Sequence, residues 1–226
     1  ELYKKGLLYE SVSIQPYSPA AGTGLSSHEL NQPGTYKDVK DTSVVAMFKA
    51  SPNPSKGGAY KNPGIQKMFS ALAGSENPPL EGREVFFLAW TTTPWTLPSN
   101  LGLTVGPSID YVLVKTFNPY LHNEINIILA KALLGKYFKP ENETSDFSGY
   151  QNDGKNIPYT IIAEFKGKEI EGCEYEQLFP YEANSPKVIE EITPGAKPFR
   201  VLVDSFVTTE DGTGIVHTAP AFGADD

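Results

Sequence analysis

The sequence predicts an α+β fold in which a β-barrel-like core carries peripheral helices. The chain of 226 residues contains 20 glycines and 19 prolines, a content that favours many short strands and turns over long helices. Short apolar and β-branched runs recur along the whole length, whereas the spacing typical of an amphipathic helix occurs in only a few places. A chain of this length can also bury a sizeable core.

Strands are predicted where a short apolar run lies between turn residues. The two clearest runs cover residues 84–92 and 110–117, and both are rich in valine and aromatic residues. Weaker runs predict further strands at 12–16, 43–49, 101–105, 159–165, 188–192, 199–208 and 213–217.

One helix is predicted from the spacing of four apolar residues. Ile65, Met68, Phe69 and Leu72 fall at positions i, i+3, i+4 and i+7, which is the spacing of one helix face. A helix over residues 65–73 is therefore expected to pack this stripe against the core.

The remaining segments predict the organisation of the chain. Residues 125–137 are expected to form a strand that runs into a helix, and residues 1–8 the tail of a helix cut from a larger protein. Residues 140–156 are polar, acidic and rich in glycine and asparagine, so a mobile loop is predicted there. We expect residues 1–226 to form a single domain, a fragment of a larger protein.

Bulk properties exclude several classes of protein. The net charge of −8 argues against a general nucleic-acid-binding protein, whose surface should be basic. No apolar run approaches the ~20 residues that span a membrane, and no secretory leader is expected. Cys173 is the only cysteine, so an internal disulfide cannot form and a reducing, cytoplasmic location is expected.

The first segment with chemical potential covers residues 90–100, WTTTPWTLPSN, directly after the apolar run 85–89. Pro94 lacks an N–H and restricts the residue before it, so a rigid bend is expected at the end of a strand. Such a bend would present hydroxyls and aromatic edges to an uncharged polar ligand with an apolar part. Alternatively, the threonines are simply strand-forming residues and the two tryptophans are core anchors.

The second segment covers residues 212–226, GTGIVHTAPAFGADD. A glycine-rich turn leads into a short β-branched strand that carries His217, and a Pro/Gly turn then leads to Asp225 and Asp226. Neighbouring side chains on an extended segment point to opposite sides, so one carboxylate is expected to face a pocket. The alternatives are a histidine satisfied within the core and an acidic turn exposed to solvent.

Together, the two segments resemble the editing domain of isoleucyl-tRNA synthetases, which are class I aminoacyl-tRNA synthetases. Residues 16–39 are similar to the lead-in to this domain in eukaryotic-type enzymes, and Thr93 stands where the valyl and leucyl enzymes carry arginine. The resemblance implies the fold of that domain and hydrolysis of wrongly attached valine. It implies three partners, namely the 3′ end of aminoacylated tRNA(Ile), valyl-adenylate and the remainder of the synthetase chain. No membrane is implied, and the fragment is expected to be a monomer.

The resemblance also implies roles for individual residues. Catalytic roles fall on Thr91, Thr92 and Thr93, which would hold the ester and orient a water, and on Asp226, which would pair with the α-ammonium group of the substrate. Substrate-binding roles fall on Trp95, Thr96, Asn100, His217 and Asp225. Among these, Asn100 matches the position that contacts the terminal nucleotide. His217 matches the position whose side chain obstructs the larger, correct amino acid. Its role could be steric or could be proton transfer.

No metal and no cofactor are expected. His28 and His122 do not belong to a metal-ligand spacing, and no second cysteine is present to complete a zinc site. The motifs of serine hydrolases and phosphate-binding loops are missing as well. The alternative function is a non-catalytic tRNA- or partner-binding module, which should carry a basic stripe with interleaved aromatic residues. A third possibility is an inactive insertion that keeps only the shape.

Overall fold

The computed structural model describes residues 1–10, 14–51, 63–73, 84–151, 154–181, 198–220 and 222. The chain divides into two compact units. The smaller unit comprises residues 1–41 and 220–226, and the larger unit comprises residues 42–219.

The smaller unit contains only short elements among its described residues. They are a 3₁₀ helix Tyr3–Lys5, strands β1 (Tyr17–Ser18) and β2 (Thr23–Gly24), which pair antiparallel, and one helical turn α1 (Ser27–Leu30). The helix tail predicted for residues 1–8 is thus a single 3₁₀ turn. The strand predicted at 12–16 is wrong for residues 14–16, which form no strand, while 11–13 lie outside the described residues.

The larger unit is built on one eight-stranded sheet. Its strands are β3 (Val44–Lys49), β4 (Val85–Thr91), β5 (Gly102–Val105), β6 (Asp110–Phe117), β7 (Glu124–Ala130), β8 (Thr160–Lys166), β9 (Arg200–Val203) and β10 (Ile215–Thr218). They lie in the order β8-β6-β7-β4-β10-β5-β9, with β3 added on β4. The sheet curls into an open half-barrel. The predicted α+β class with a barrel-like core is therefore confirmed.

Strand β4 is the branch point of this sheet. One of its edges pairs antiparallel with β3 along residues 86–91. Its other edge is shared, because residues 85–87 pair in parallel with β7 while Trp90 pairs in parallel with Val216 of β10. A single strand therefore joins the β6–β7 part of the sheet to the β5–β10 part.

The helices of the described residues are few and short. They are α2 (Pro63–Ala73), α3 (Leu134–Tyr137) and 3₁₀ helices at Pro94–Ser99, Lys131–Leu133, Pro140–Asn142 and Gly167–Ile170. Helix α2 buries Ile65, Met68 and Phe69 and lies against β8, as the spacing predicted. In the part of the chain that the structure describes, no helix has the length and apolar character to cross a membrane.

The central strands are buried on both faces. In β6, Tyr111 and Leu113 belong to the main core, whereas Val112 and Val114 belong to a second cluster on the opposite face. Leu134, Phe138 and Tyr159 cover that second cluster. Burial of both faces explains why these strands are continuous apolar runs and show no alternation of apolar and polar residues.

The segment predicted as a mobile loop has local structure in its described part. The 3₁₀ helix at its start is followed by a bridge from Glu143 to Tyr159. The rings of Phe147 and Tyr150 lie 5.6 and 4.8 Å from that of Phe117. These contacts attach residues 140–151 to the end of β6. The strand predicted at 188–192 lies outside the described residues, and the one predicted at 199–208 is shortened to β9.

Most of the described lysine and arginine side chains of the larger unit are paired with anions. Six pairs occur among its described residues, namely Lys49–Glu84, Lys115–Glu124, Lys131–Glu164, Lys136–Asp211, Lys166–Asp110 and Arg200–Glu174. Exposed pairs contribute little to stability because solvent screens them. They nevertheless neutralise positive charge that a nucleic acid could otherwise use.

The turn before β10 generates a prediction about stability. Gly214 has φ +73°, and a Cβ there would clash with the Cβ of Ala130. We expect Gly214→Ala to lower the free energy of unfolding by about 1–3 kcal/mol, because a side chain is strained in this conformation. Urea denaturation measures the change. Gly135→Ala is the matched control, since a Cβ at Gly135 meets open space within helix α3. Equal losses in the two variants would contradict the prediction.

A second prediction concerns Cys173, which is 1% exposed. Burial, followed by the charge of Glu174, raises the pKa of its thiol to about 12. We therefore expect an aromatic disulfide reagent at about pH 8 to label the thiol only after denaturation, because the native chain presents almost no thiolate. The unfolded thiol ionises first as pH rises past 9.0, so stability should fall between pH 9.0 and about 12. Rapid labelling of the native chain would contradict this expectation.

Candidate functional site

The bend predicted after β4 is present. Strand β4 ends at Thr91, and the 3₁₀ helix Pro94–Ser99 begins three residues later. The buried Thr91 hydroxyl accepts a hydrogen bond from the Thr93 amide at 3.0 Å and lies 3.2 Å from the Thr93 hydroxyl. Thr91 therefore braces the bend from inside, because its hydroxyl satisfies an amide that the strand no longer pairs. We call residues 91–96 the threonine turn.

The outer side of the threonine turn is open to solvent. Thr92 and Thr93 are exposed, and the indole of Trp95 is 64% exposed. No described residue hydrogen-bonds the Thr92 hydroxyl. The turn therefore offers two hydroxyls and an aromatic face to a ligand, which is the combination that the sequence predicts.

A hydrogen bond joins the threonine turn to the second segment. Thr96 Oγ1 lies 2.8 Å from His217 Nε2, across 121 positions of sequence, and both side chains are buried. Thr96 Oγ1 also donates to the Thr93 carbonyl at 2.8 Å. Because a hydroxyl has one proton, His217 Nε2 must carry the proton of the shared bond. We therefore assign the Nε2–H tautomer to His217 from this geometry.

Trp90 belongs to the first segment and packs against Gly212 of the second segment. A Cβ on Gly212, which has φ +70°, would lie 2.8 Å from Trp90 Cε3. Trp90 also pairs with Val216 through its backbone. The structure thus gives Trp90 a packing role and leaves Trp95 as the exposed tryptophan of the pair.

The structure places Asn100 inside the protein. Its side chain is 1% exposed, and Nδ2 donates to the carbonyls of Gly102 and Thr218 at 2.7 and 3.4 Å. Its Oδ1 accepts a hydrogen bond from the Tyr175 hydroxyl at 2.5 Å. The amide therefore bonds to the protein itself at both ends. Tyr175 could not be identified from the sequence, because a tyrosine in a short polar segment carries no motif.

The structure does not place the remaining predicted residues. Asp225 and Asp226 lie outside the described residues, and their roles stay predictions. Phe222 is 57% exposed. Among the described residues, no group of three or more His, Cys, Asp or Glu side chains could hold a metal ion.

Two open depressions lie away from the predicted segments. Their volumes are about 380 and 460 Å³, and they share Asn142, Lys155 and Asn156 in their linings. No residue of the threonine turn and no residue of β10 lines either one. The candidate site is therefore identified by the chemistry of the hydroxyl cluster and not by these two depressions.

Comparisons with known proteins identify the family. No family model matches the chain. Over all of its 226 residues it is 52% identical to an isoleucine–tRNA ligase of Cytophaga hutchinsonii, and over 227 aligned residues 43% identical to one of Treponema denticola. The chain thus belongs to a family of aminoacyl-tRNA ligases. Specifically, it belongs to the isoleucine–tRNA ligases.

The match covers one segment of those enzymes. The chain spans 17% of the length of the Cytophaga protein and 18% of the Treponema protein. Among solved structures, it is similar to the cytosolic leucyl-tRNA synthetase editing domain of P. knowlesi. That similarity has a TM-score of 0.45 and 13% identity, covering 78% of this chain and 58% of the other. Family membership rests on the sequence relatives.

The bond between Thr96 and His217 generates a prediction. We expect Thr96→Val to lower the free energy of unfolding by about 1–3 kcal/mol, because it leaves the buried His217 Nε2–H without its acceptor. Thr92→Val is the matched control, and its exposed hydroxyl should change stability by less than about 0.5 kcal/mol. Thermal or urea denaturation measures both variants. An unchanged stability of Thr96→Val would show that this bond contributes nothing.

Proposed function

We propose that this chain is the editing domain of an isoleucine–tRNA ligase and that it hydrolyses valine wrongly attached to tRNA(Ile), together with valyl-adenylate. The observation that carries the proposal is the hydrogen bond between Thr96 and His217. It joins an exposed cluster of hydroxyls to a buried histidine from a distant segment. The threonine turn, which would bind the ester, and His217, which would limit the size of the amino acid side chain, thereby become parts of one site.

The proposed reaction uses the threonine turn for positioning. A threonine hydroxyl is a poor nucleophile without a base. Among the described residues, the base-type side chain bonded to the turn is His217, whose Nε2 donates to Thr96. We therefore assign Thr92 and Thr93 to hold the ester carbonyl and orient a water, with Thr91 as their brace. The water attacks the carbonyl carbon, the bond to the ribose oxygen breaks, and a proton passes to that oxygen. A hydroxyl of the terminal ribose helps to place the water.

His217 is assigned a steric role in this proposal. Its Nε2–H donates to Thr96, so this nitrogen has no lone pair for a proton from water, and the other ring nitrogen, Nδ1, is buried away from solvent. Its ring is instead held in one orientation by the buried bond. A fixed ring at the wall of a pocket can admit valine and obstruct the larger isoleucine. The isoleucyl enzyme is itself the standard example of the need for such a second sieve.

Two further groups complete the proposed site. Asp226 would bind the α-ammonium group of the substrate, since a carboxylate makes charge-assisted hydrogen bonds to an ammonium, and Asp225 would support it. Trp95 offers its exposed ring to the apolar part of the ligand. The assignment of the two aspartates rests on sequence alone.

The alternative is a non-catalytic tRNA- or partner-binding module. Such a module needs accessible cations along a strand of RNA. The six ion pairs of the larger unit engage most of its described cations, and the net charge is −8. Both observations favour a site for a small part of tRNA over a long RNA-binding surface.

Calorimetric binding of non-hydrolysable valyl- and isoleucyl-adenosine analogues tests the proposal. We expect the valyl analogue to bind more tightly by at least about tenfold, because the fixed His217 ring excludes the extra methylene. Asp226→Ala should abolish binding, since it removes the partner of the ammonium group. Asp38→Ala is the control, because Asp38 is an exposed carboxylate outside both predicted segments.

Each other result has a distinct meaning. Equal binding of the two analogues would show a pocket in which His217 is not the sieve. Failure of both analogues, together with binding of intact tRNA, would favour the non-catalytic module. A valyl-tRNA(Ile) that lacks the free terminal ribose hydroxyl tests the role of that hydroxyl. If its ester were hydrolysed at the full rate, the hydroxyl would have no part in the mechanism.

A further inference from the structure

We propose that Tyr175 is a positioning residue of the candidate site and that it acts through Asn100. Its hydroxyl anchors the Asn100 amide, and that amide, together with the Leu101 backbone, holds the end of the 3₁₀ helix Pro94–Ser99 against strand β10. This inference rests on the proposed editing function, because its consequence is the selectivity of that site.

The ring of Tyr175 is held from several sides. The side chain is 4% exposed. The ring meets Phe48 edge to face at 5.4 Å and Phe199 at 6.2 Å. Its backbone amide donates to the Phe199 carbonyl at 3.0 Å. Burial raises the pKa of the Tyr175 hydroxyl, which therefore keeps its proton and donates to Asn100 Oδ1. The packing of the ring and the backbone bond therefore fix the position of the Tyr175 hydroxyl independently of its bond to Asn100.

Asn100 connects the end of the helix to the end of β10. Its own backbone N–H donates to the Leu97 carbonyl and so ends the 3₁₀ helix. Its side-chain Nδ2 donates to the Gly102 carbonyl at 2.7 Å and, in a longer contact of 3.4 Å, to the carbonyl of Thr218, the residue after His217. The next amide, from Leu101, donates to the same Thr218 carbonyl at 3.0 Å. The helix is thus tied to β10 at Thr218 as well as at His217.

The two ties are consecutive along β10 and belong to one helix. Thr96 holds the His217 ring, and Asn100 holds the backbone just beyond it. Movement at the second tie therefore changes where the His217 ring stands relative to the threonine turn. In the proposed function, this spacing sets the size of the amino acid that the site admits.

The Tyr175 hydroxyl anchors the Asn100 amide in the orientation that two backbone carbonyls select. A side-chain amide has a donor end and an acceptor end of the same shape. If the amide turned over, its oxygen would face the Gly102 and Thr218 carbonyls, which can only accept. The Tyr175 hydroxyl donates to the oxygen of the favoured orientation and so holds it in place, and phenylalanine at position 175 could not supply that bond.

The test is Tyr175→Phe in the full-length protein that carries this chain. Hydrolysis of valyl-tRNA(Ile) and isoleucyl-tRNA(Ile) is measured, with kcat and KM determined separately. We expect the preference for the valyl ester to fall by about five- to tenfold, as for the loss of one buried hydrogen bond. The change should appear mainly as a rise in kcat/KM for the isoleucyl ester, because the size limit is relaxed. For the valyl ester, kcat and KM should change little, because the groups that hold the ester remain.

A matched control separates positioning from general stability. Tyr159→Phe removes the hydroxyl of another buried tyrosine, which lies in the second cluster and bonds only weakly to Glu143 at 3.5 Å. The control should leave the preference within twofold of the wild type. If both variants reduced the preference equally, or if Tyr175→Phe left it within twofold, the proposal would be overturned.

A double-mutant cycle tests whether Tyr175 acts through Asn100. Tyr175→Phe should add little to the loss caused by Asn100→Ala, because the hydroxyl then has no amide to orient. Independent, multiplying losses would overturn the link while leaving editing intact. If the wild-type protein hydrolysed neither ester, the proposed function would fail first and this inference with it.

Discussion

Strand β4 divides one hydrogen-bonding edge between two neighbours, and the rest of the larger unit depends on that division. An edge group can pair with only one strand at a time, so β10 can join β4 only beyond the point where β7 leaves it. This places the end of β10 beside the end of β4, where the threonine turn begins. Because side chains alternate along a strand, a slip of one residue would turn His217 to the opposite face. The position of the proposed sieve is therefore fixed by backbone pairing before any side chain contributes.

The sequence predicts the local elements well and the long-range pairing poorly. Strands β4 and β6 and helix α2 follow from apolar spacing, because burial imposes a period on each element separately. The position of β10 between β4 and β5 follows from contacts between residues far apart in the sequence. The spacing of apolar residues contains no information about such contacts. Phe199 has φ +58° at the start of β9, an uncommon conformation for a bulky residue. Bonds to Leu101 and Tyr175 hold it there, and none of them could be inferred from neighbouring residues.

The candidate site divides in the same way. The threonine turn and the bond from Thr96 to His217 lie within the two segments that the sequence singles out, since proline geometry and hydroxyl content are local properties. The inward orientation of Asn100 and its partner Tyr175 is a tertiary property. A buried tyrosine that packs in a core and one that orients an amide have the same sequence signal, and only the position of the hydroxyl distinguishes them.

The ion pairs of the larger unit have a consequence for how this surface meets RNA. Tight binding to a phosphate backbone gains much of its free energy when lysines displace condensed counterions, and this gain makes affinity fall steeply with added salt. Lysines that already face carboxylates displace few such ions. Under the proposed function, the association of the described surface with tRNA should therefore depend only weakly on ionic strength. Discrimination among substrates would then come from the shape of the proposed site, which salt does not screen.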